Sequence, residues 1–275
     1  MSLSHSTTSN FNQCPTYYKY DKVDCLERAE PPGAAANDIK WGAAIHAGLA
    51  VHYNYNGGNG DMVQSAFLQS YPEDLDASDV VKTREGGLKT LEAYVEWSRE
   101  RDKLWEILYV EKGDAESAAD RDSLRIDIVA RHKTSGSIYF WDHKTTKKLG
   151  WEEDKYAIDA QISRYTLYVR EKFGDCAGAI INSICPMFRQ RKWKDRPAGW
   201  DVQFNRSQPI IHSVEQLDQW RRSQDDWEAM VAWCLETGTW PKHLGWKCSR
   251  CQFFELCQGA EGWKPSNSMY IKRPG

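Results

Sequence analysis

Apolar and polar positions change period twice along this chain. From about Thr8 to Tyr20, and again from a cap at Asn37 or Asp38 through Val51–Tyr55, apolar residues recur at helical spacing, with Ile45, Leu49 and His52 on one stripe. An irregular stretch containing Pro31-Pro32-Gly33 separates the two segments, and Gly57-Gly58-Asn59-Gly60 ends the second. Two more helices are predicted at about Met62–Ser70 and Ser78–Asp102, the latter long and amphipathic. The pattern then alternates. Trp105–Glu111 reads as a strand, and Leu124–His132 with Ile138–Lys144 as a hairpin turning at Thr134-Ser135-Gly136. Helical spacing returns over Lys155–Phe173. Ala179–Phe188 and Asp201–Ile211 read as two further strands joined by a basic loop, and Ser213–Glu236 as a helix with Trp220, Trp227 and Val231 as packing residues. Helices, three strands, a helix, two strands and a helix describe an α/β fold with a mixed central sheet flanked by helices.

Composition narrows the class. With 275 residues, 41% hydrophobic and 27% charged, the chain can bury a real core. It contains no apolar run approaching the roughly 18 residues that a membrane span needs. The start, Met1-Ser-Leu-Ser-His-Ser-Thr-Thr, has neither the basic nor the apolar region of an export signal, so a reducing, cytoplasmic location is expected and disulfides are not. The net charge of -3 excludes a global attraction to nucleic acid, so any polyanion must be held by a local patch. Most of the thirteen tryptophans are expected in packing, with a few able to stack on bases.

The cysteines are distributed in a telling way. Cys14 stands alone near the start, while Cys248, Cys251 and Cys257 form a C-x2-C-x5-C cluster in a polar, loop-like stretch near the end. Thiolates so far apart serve one centre only if the two ends of the fold meet, and a shared metal would staple them. Buried, unliganded thiols are the plain alternative. Cys25, Cys176, Cys185 and Cys234 fit no such pattern and are read as structural.

The second hairpin strand ends Phe140-Trp141-Asp142-His143-Lys144, and its partner carries Arg125-Ile126-Asp127-Ile128. Alternation puts Asp142 and Lys144 on one face and His143 on the other, and strand pairing can bring Asp127 beside them. Two converging carboxylates would bind a hard divalent cation, and the lysine could hold an attacking water or neutralise phosphate charge. A solvated strand face would look the same. His46, in Gly42-Ala43-Ala44-Ile45-His46, is a packing residue or a further metal ligand, depending on whether its helix passes the hairpin end. Gln161 and Tyr165 share a helix face and could touch a phosphate or simply line the surface. Arg189, Arg191, Lys192, Trp193, Lys194 and Arg196 crowd one loop, either as a single-strand binding patch, which Lys147 and Lys148 could extend, or as a solvated hairpin tip.

Taken together these segments resemble the RecB-like branch of the PD-(D/E)XK nucleases. More narrowly, they resemble the iron–sulfur exonucleases, which include the CRISPR-associated RecB-like nuclease and the AddB nuclease domain. Leu3-Ser4-His5-Ser6, Cys14-Pro15-Thr16-Tyr17-Tyr18-Lys19-Tyr20, Gly42 to His46, Arg125-Ile126-Asp127, Asp142-His143-Lys144-Thr145, Gln161 to Tyr165 and the closing cysteines follow the family's order. The resemblance implies a restriction-endonuclease-like core forming a single domain over 1–258. The helical stretch at 57–104 matches none of the family's motifs and is read as an insertion, and the Gly/Pro/Ser-containing stretch at 259–275 as a flexible tail. It implies a [4Fe–4S] cluster on Cys14, Cys248, Cys251 and Cys257. It also implies a catalytic Mg2+ or Mn2+ held by His46, Asp127 and Asp142, with Lys144 as the catalytic amine. The backbone carbonyl of His143 could join these ligands, and Glu111, on the preceding strand, could add a carboxylate. The implied activity is cleavage of DNA from an end, with recombination or CRISPR-adaptation proteins as partners. A non-catalytic DNA-binding subunit and a structure-specific endonuclease are the alternatives. No G-x-x-x-x-G-K-[ST] motif occurs, so unwinding would have to come from another protein.

Overall fold

The computed structural model describes residues 10–28, 33–55, 60–73, 75, 79–111, 124–150, 152–191, 199–258 and 270–273. They fall into two compact units, Asn37–Asp218 and a second made from both chain ends, Met1–Ala36 with Gln219–Gly275. No described helix is long and apolar enough to cross a membrane.

In chain order the elements are β1 (Leu26–Arg28), α1 (Gly33–Asn54), α2 (Gly60–Ser70), α3 (Arg84–Ser98), β2 (Trp105–Val110), β3 (Ile128–His132) and β4 (Ile138–Thr145). They continue with α4 (Glu152–Tyr156), α5 (Ala160–Phe173), β5 (Gly178–Arg189), β6 (Gly199–Arg206), α6 (Val214–Thr237) and β7 (Tyr270–Lys272).

The central unit is built on a five-stranded sheet in the order β2-β3-β4-β5-β6. Strands β2, β3 and β4 run antiparallel, β4 and β5 run parallel, and β6 returns antiparallel to β5, so the sheet is mixed as the pattern predicts. Alternation along β4 sorts its neighbours by face. Trp141 joins Ile45, Leu49, Phe67, Leu91 and Tyr94 on one side, and Phe140 joins Ile162, Tyr165 and Val169 on the other. Helices α1–α3 thus cover one face and α5 the other. The hairpin turns where expected, with Gly136 at φ 75° and its N–H donating to His132 O.

Several boundaries differ from the sequence pattern, each for a local reason. Helix α1 starts at Gly33, ahead of the expected Asn37 or Asp38 cap; Asp38 instead forms an ion pair with Lys82. The expected helix over Ser78–Asp102 is broken at Thr83, whose extended backbone and hydroxyl cap α3 by accepting from Gly86 N; Ser78 itself lies outside the described residues. Lys155–Phe173 is two helices, because Asp159 caps α5 by accepting from Gln161 N at 2.7 Å. Asp201–Ile211 is a strand only to Arg206, followed by an isolated bridge from Ile210 to Ala179.

The unit made from the chain ends carries its own core. The helix expected over Thr8–Tyr20 is interrupted at Cys14, whose extended backbone (φ -169°, ψ 118°) precedes a new helical turn opened by Pro15. Phe11 and Tyr18 pack with Val231 and Cys234, while Leu26, Phe253, Leu256 and Tyr270 form a second cluster. Thr16 Oγ1 donates to Trp240 O at 2.8 Å. Strand β7 lies in the stretch read as a tail, yet it pairs antiparallel with β1. It can do so because Tyr270 is buried and its hydroxyl lies 2.7 Å from both Gln252 O and Glu255 Oε2, either of which can accept its proton.

Candidate active site and cysteine cavity

The β3–β4 register pairs Ile128 with Trp141, so Asp127, one residue before the regular strand, falls opposite Asp142. Both carboxylates are buried. Asp127 Oδ2 accepts from the His143 backbone N–H at 2.6 Å, and Asp127 Oδ1 lies 3.0 Å from His46 Nδ1. Helix α1 can deliver His46 there because it runs close to the end of β4: a Cβ on Gly42 would stand 3.4 Å from Thr145 Oγ1. Lys144 Nζ sits 2.7 Å from Asp142 Oδ2. That separation is an ion pair's, but its direction is poor, and Oδ2 remains a buried oxygen without a well-aligned donor.

Burial and charge set the electrostatics. Burial works against charge on Asp127, yet His46 and the His143 N–H hold its carboxyl well below the usual range. Asp142 is raised, because burial and the Asp127 charge outweigh the pull of Lys144. Burial opposes charge on Lys144 too, but the Asp142 carboxylate keeps it above an ordinary lysine. His46 follows the same logic: burial lowers it, Asp127 more than offsets this, and the net shift is upward. Burial and Asp127 raise Glu111, whose Oε1 lies 3.2 Å from Arg125 Nε. A cavity of about 10 Å³ is lined by His46, Tyr53, Glu111, Asp127 and His143.

The structure therefore brings His46, Asp127, Asp142, Lys144 and Glu111 together, and places the His143 side chain on the opposite face from Asp142. Tyr165 is buried against Phe140 and feels the charges of Asp142 and Lys144, and Gln161 bonds to it. Arg191 is exposed at the end of a described segment; Lys192, Trp193, Lys194 and Arg196 lie outside the described residues, as does Leu3-Ser4-His5-Ser6. Arg189, counted in the same patch, is committed to an ion pair with Asp201.

Sequence reasoning missed a buried polar chain behind the site. His143 Nδ1 meets Asn182 Nδ2 at 3.1 Å, and Asn182 also bonds Tyr94 OH. Tyr94 OH lies 2.7 Å from Tyr53 OH, and Tyr53 OH donates to Asp102 Oδ2 at 2.9 Å. Arg206 Nη1 closes the chain on Asp102 Oδ1 at 2.8 Å, its guanidinium over the Trp141 ring. A buried strand arginine demands a carboxylate, but no spacing rule points from Arg206 to Asp102.

In the unit made from the chain ends, Cys14, Cys248, Cys251 and Cys257 all line one cavity of about 400 Å³, with Tyr17, Tyr20 and Trp246 on its walls. Burial raises the Cys251 thiol, and the neighbouring Cys257, Cys14 and Cys248 raise it further. Gly245 N–H points at Cys248 Sγ from 3.4 Å.

Both sites fit the groups the resemblance implies by the chemistry of their donors: carboxylates and an imidazole around an underdonated Asp142 oxygen suit a hard cation, and four soft thiols suit iron or zinc. Among the described residues, no three His, Cys, Asp or Glu side chains are already gathered around a single ion position. In the central unit the protein's own His46, His143 N–H and Lys144 occupy the carboxylates instead. A family model described as the PD-(D/E)XK nuclease superfamily matches residues 2–258. No curated protein matches the chain.

Proposed function

Because the chain belongs to the PD-(D/E)XK nuclease superfamily, whose members are generally hydrolytic nucleases, we propose that it is a Mg2+- or Mn2+-dependent deoxyribonuclease acting on DNA from an end. One observation carries the reading: two buried carboxylates face each other across a β hairpin, with a lysine ammonium on the second. Asp127, Asp142, His46 and the His143 carbonyl would hold the cation. When bound, it would activate a water and neutralise charge on the scissile phosphate. Lys144 stays protonated in this pairing, so it orients the water and steadies negative charge on phosphate oxygens rather than taking a proton. Gln161, half-buried at the start of α5, would contact the DNA backbone, and it holds the hydroxyl of Tyr165, which is buried near Asp142 and Lys144.

Cys14, Cys248, Cys251 and Cys257 would hold a [4Fe–4S] cluster, as in the RecB-like iron–sulfur branch that the sequence motifs resemble. The roomy cavity common to all four thiols supports a multi-atom cluster over a single zinc ion. Recombination or CRISPR-adaptation proteins are the partners this branch implies.

End-labelled linear DNA with Mg2+ or Mn2+, compared between 5′ and 3′ labels, tests the activity. Progressive loss from one end is expected, with circular single strands left intact. Asp142→Ala and Lys144→Ala should each lose about a hundredfold or more of the rate without loss of fold. Full metal-dependent cleavage by Asp142→Ala would refute the assignment.

A further inference from the structure

The buried chain behind the hairpin has a direction, and that direction fixes one proton. An ionised carboxylate only accepts hydrogen bonds, so the Asp102 end must receive the Tyr53 O–H. Two hydroxyl oxygens 2.7 Å apart need a hydrogen between them. Tyr53 has spent its own on Asp102, so the bridging hydrogen belongs to Tyr94. The Tyr94 oxygen can then only accept, and Asn182 must turn its NH2 group toward it. The same NH2 group lies 3.1 Å from His143 Nδ1, which must therefore present a lone pair. In the neutral ring the proton is left on Nε2.

That nitrogen is a buried donor with no partner among the described residues, on a side chain 2% exposed. His143 lines the cavity of about 10 Å³ that Glu111, Asp127 and His46 also line, a volume one water fills. A water there has what it needs: one N–H to accept from and carboxylate oxygens to donate to.

We propose that the His143 side chain is a fixed Nε2–H donor to a single water beside Asp127 and Glu111, and that Arg206, Asp102, Tyr53, Tyr94 and Asn182 are positioning residues that hold its tautomer. The imidazole is thereby excluded as a metal ligand through Nε2, since that nitrogen has no lone pair to offer. The proposal rests on the nuclease reading only for the use made of the water.

The tautomer is read directly, without DNA or metal, from the nitrogen resonances of 15N-histidine-labelled full-length protein. His143 is identified among the seven histidines by the signal that His143→Gln removes. A neutral Nε2–H ring is expected in the wild type. Tyr53→Phe, which cuts the chain while keeping the ring, should let the Nδ1–H form appear. A wild-type Nδ1–H or doubly protonated ring overturns the proposal, and an unchanged signal in Tyr53→Phe overturns the relay. Turnover provides the second arm, because the Gln amide can place an N–H near the lost Nε2 and the Asn amide cannot. His143→Gln should keep kcat within about tenfold and His143→Asn should lose about a hundredfold, with DNA affinity unchanged in both. Equal losses overturn the donor role. If wild type cleaves no DNA, the nuclease reading fails while the resonance experiment still decides the tautomer.

Discussion

His46 gains its proton affinity from one neighbour. Its ring would titrate below the ordinary histidine value near 6.5 if burial acted alone, and the Asp127 carboxylate lifts it above. A raised imidazole contributes stability that is complete below about pH 6.5 and is lost as pH climbs through the folded value. Asp127 works in the opposite sense: its lowered value stabilises the fold above the usual carboxylate range and is lost only in strong acid. Metal-free protein should therefore lose thermal stability from pH 6.5 upward, and His46→Gln should flatten that slope, as thermal denaturation in chelator would record. With His46 as the proposed ligand, Mg2+ affinity should rise over the same interval, because the cation would compete with the ring proton. At this scale the sequence was readable where chemistry follows alternation. Asp127, Asp142 and Lys144 could be placed relative to one another from a hairpin alone. The surroundings of His143 could not, because Asn182, Tyr94, Tyr53, Asp102 and Arg206 come from five separate segments and meet only in the folded unit.

Elements were readable where period and punctuation agree. The β3–β4 hairpin has both: two alternating runs and a Thr-Ser-Gly turn. The breaks at Thr83 and Asp159 were invisible because each caps a helix within a stretch whose spacing stays helical on both sides, and a capping residue looks like any polar surface position until its backbone is seen to be extended. Gly87 shows how packing overrides propensity. Gly→Ala inside a helix ordinarily stabilises by about 1 kcal/mol. A Cβ at Gly87 would stand 2.0 Å from the Phe67 ring, so α2 and α3 could not keep their contact. Gly87→Ala should instead destabilise by about 1–3 kcal/mol, the usual cost of overpacking. Urea denaturation gives the sign directly; a gain in stability would show that the two helices separate freely.

For the whole molecule, the sequence holds no apolar run long enough for a membrane-spanning helix and no net charge that would create a global field for polyanions, and the run of motifs pointed to the superfamily. The division into two units was not legible, because nothing in the local pattern reveals that Tyr270–Lys272 returns to Leu26–Arg28. Cys14 and the three later cysteines are the chemical counterpart of that return. Protein purified without air should be brown and carry iron, and Cys14→Ser should lose most of the iron and the visible absorption while the central unit keeps its thermal transition. A colourless wild type with stoichiometric zinc would reject the cluster.

The pairing of β1 with β7 also sets a schedule for synthesis. Asp218, the last residue of the central unit, is made before Cys248, so that unit's own sequence is available early, whereas β1 must wait for Tyr270–Lys272 to pair. At about 5–20 residues per second, Cys14 waits roughly ten to fifty seconds before Cys248 is made. During that interval Cys14 meets oxidants without the three thiols proposed to share its centre, so oxidation at this position should arise during synthesis.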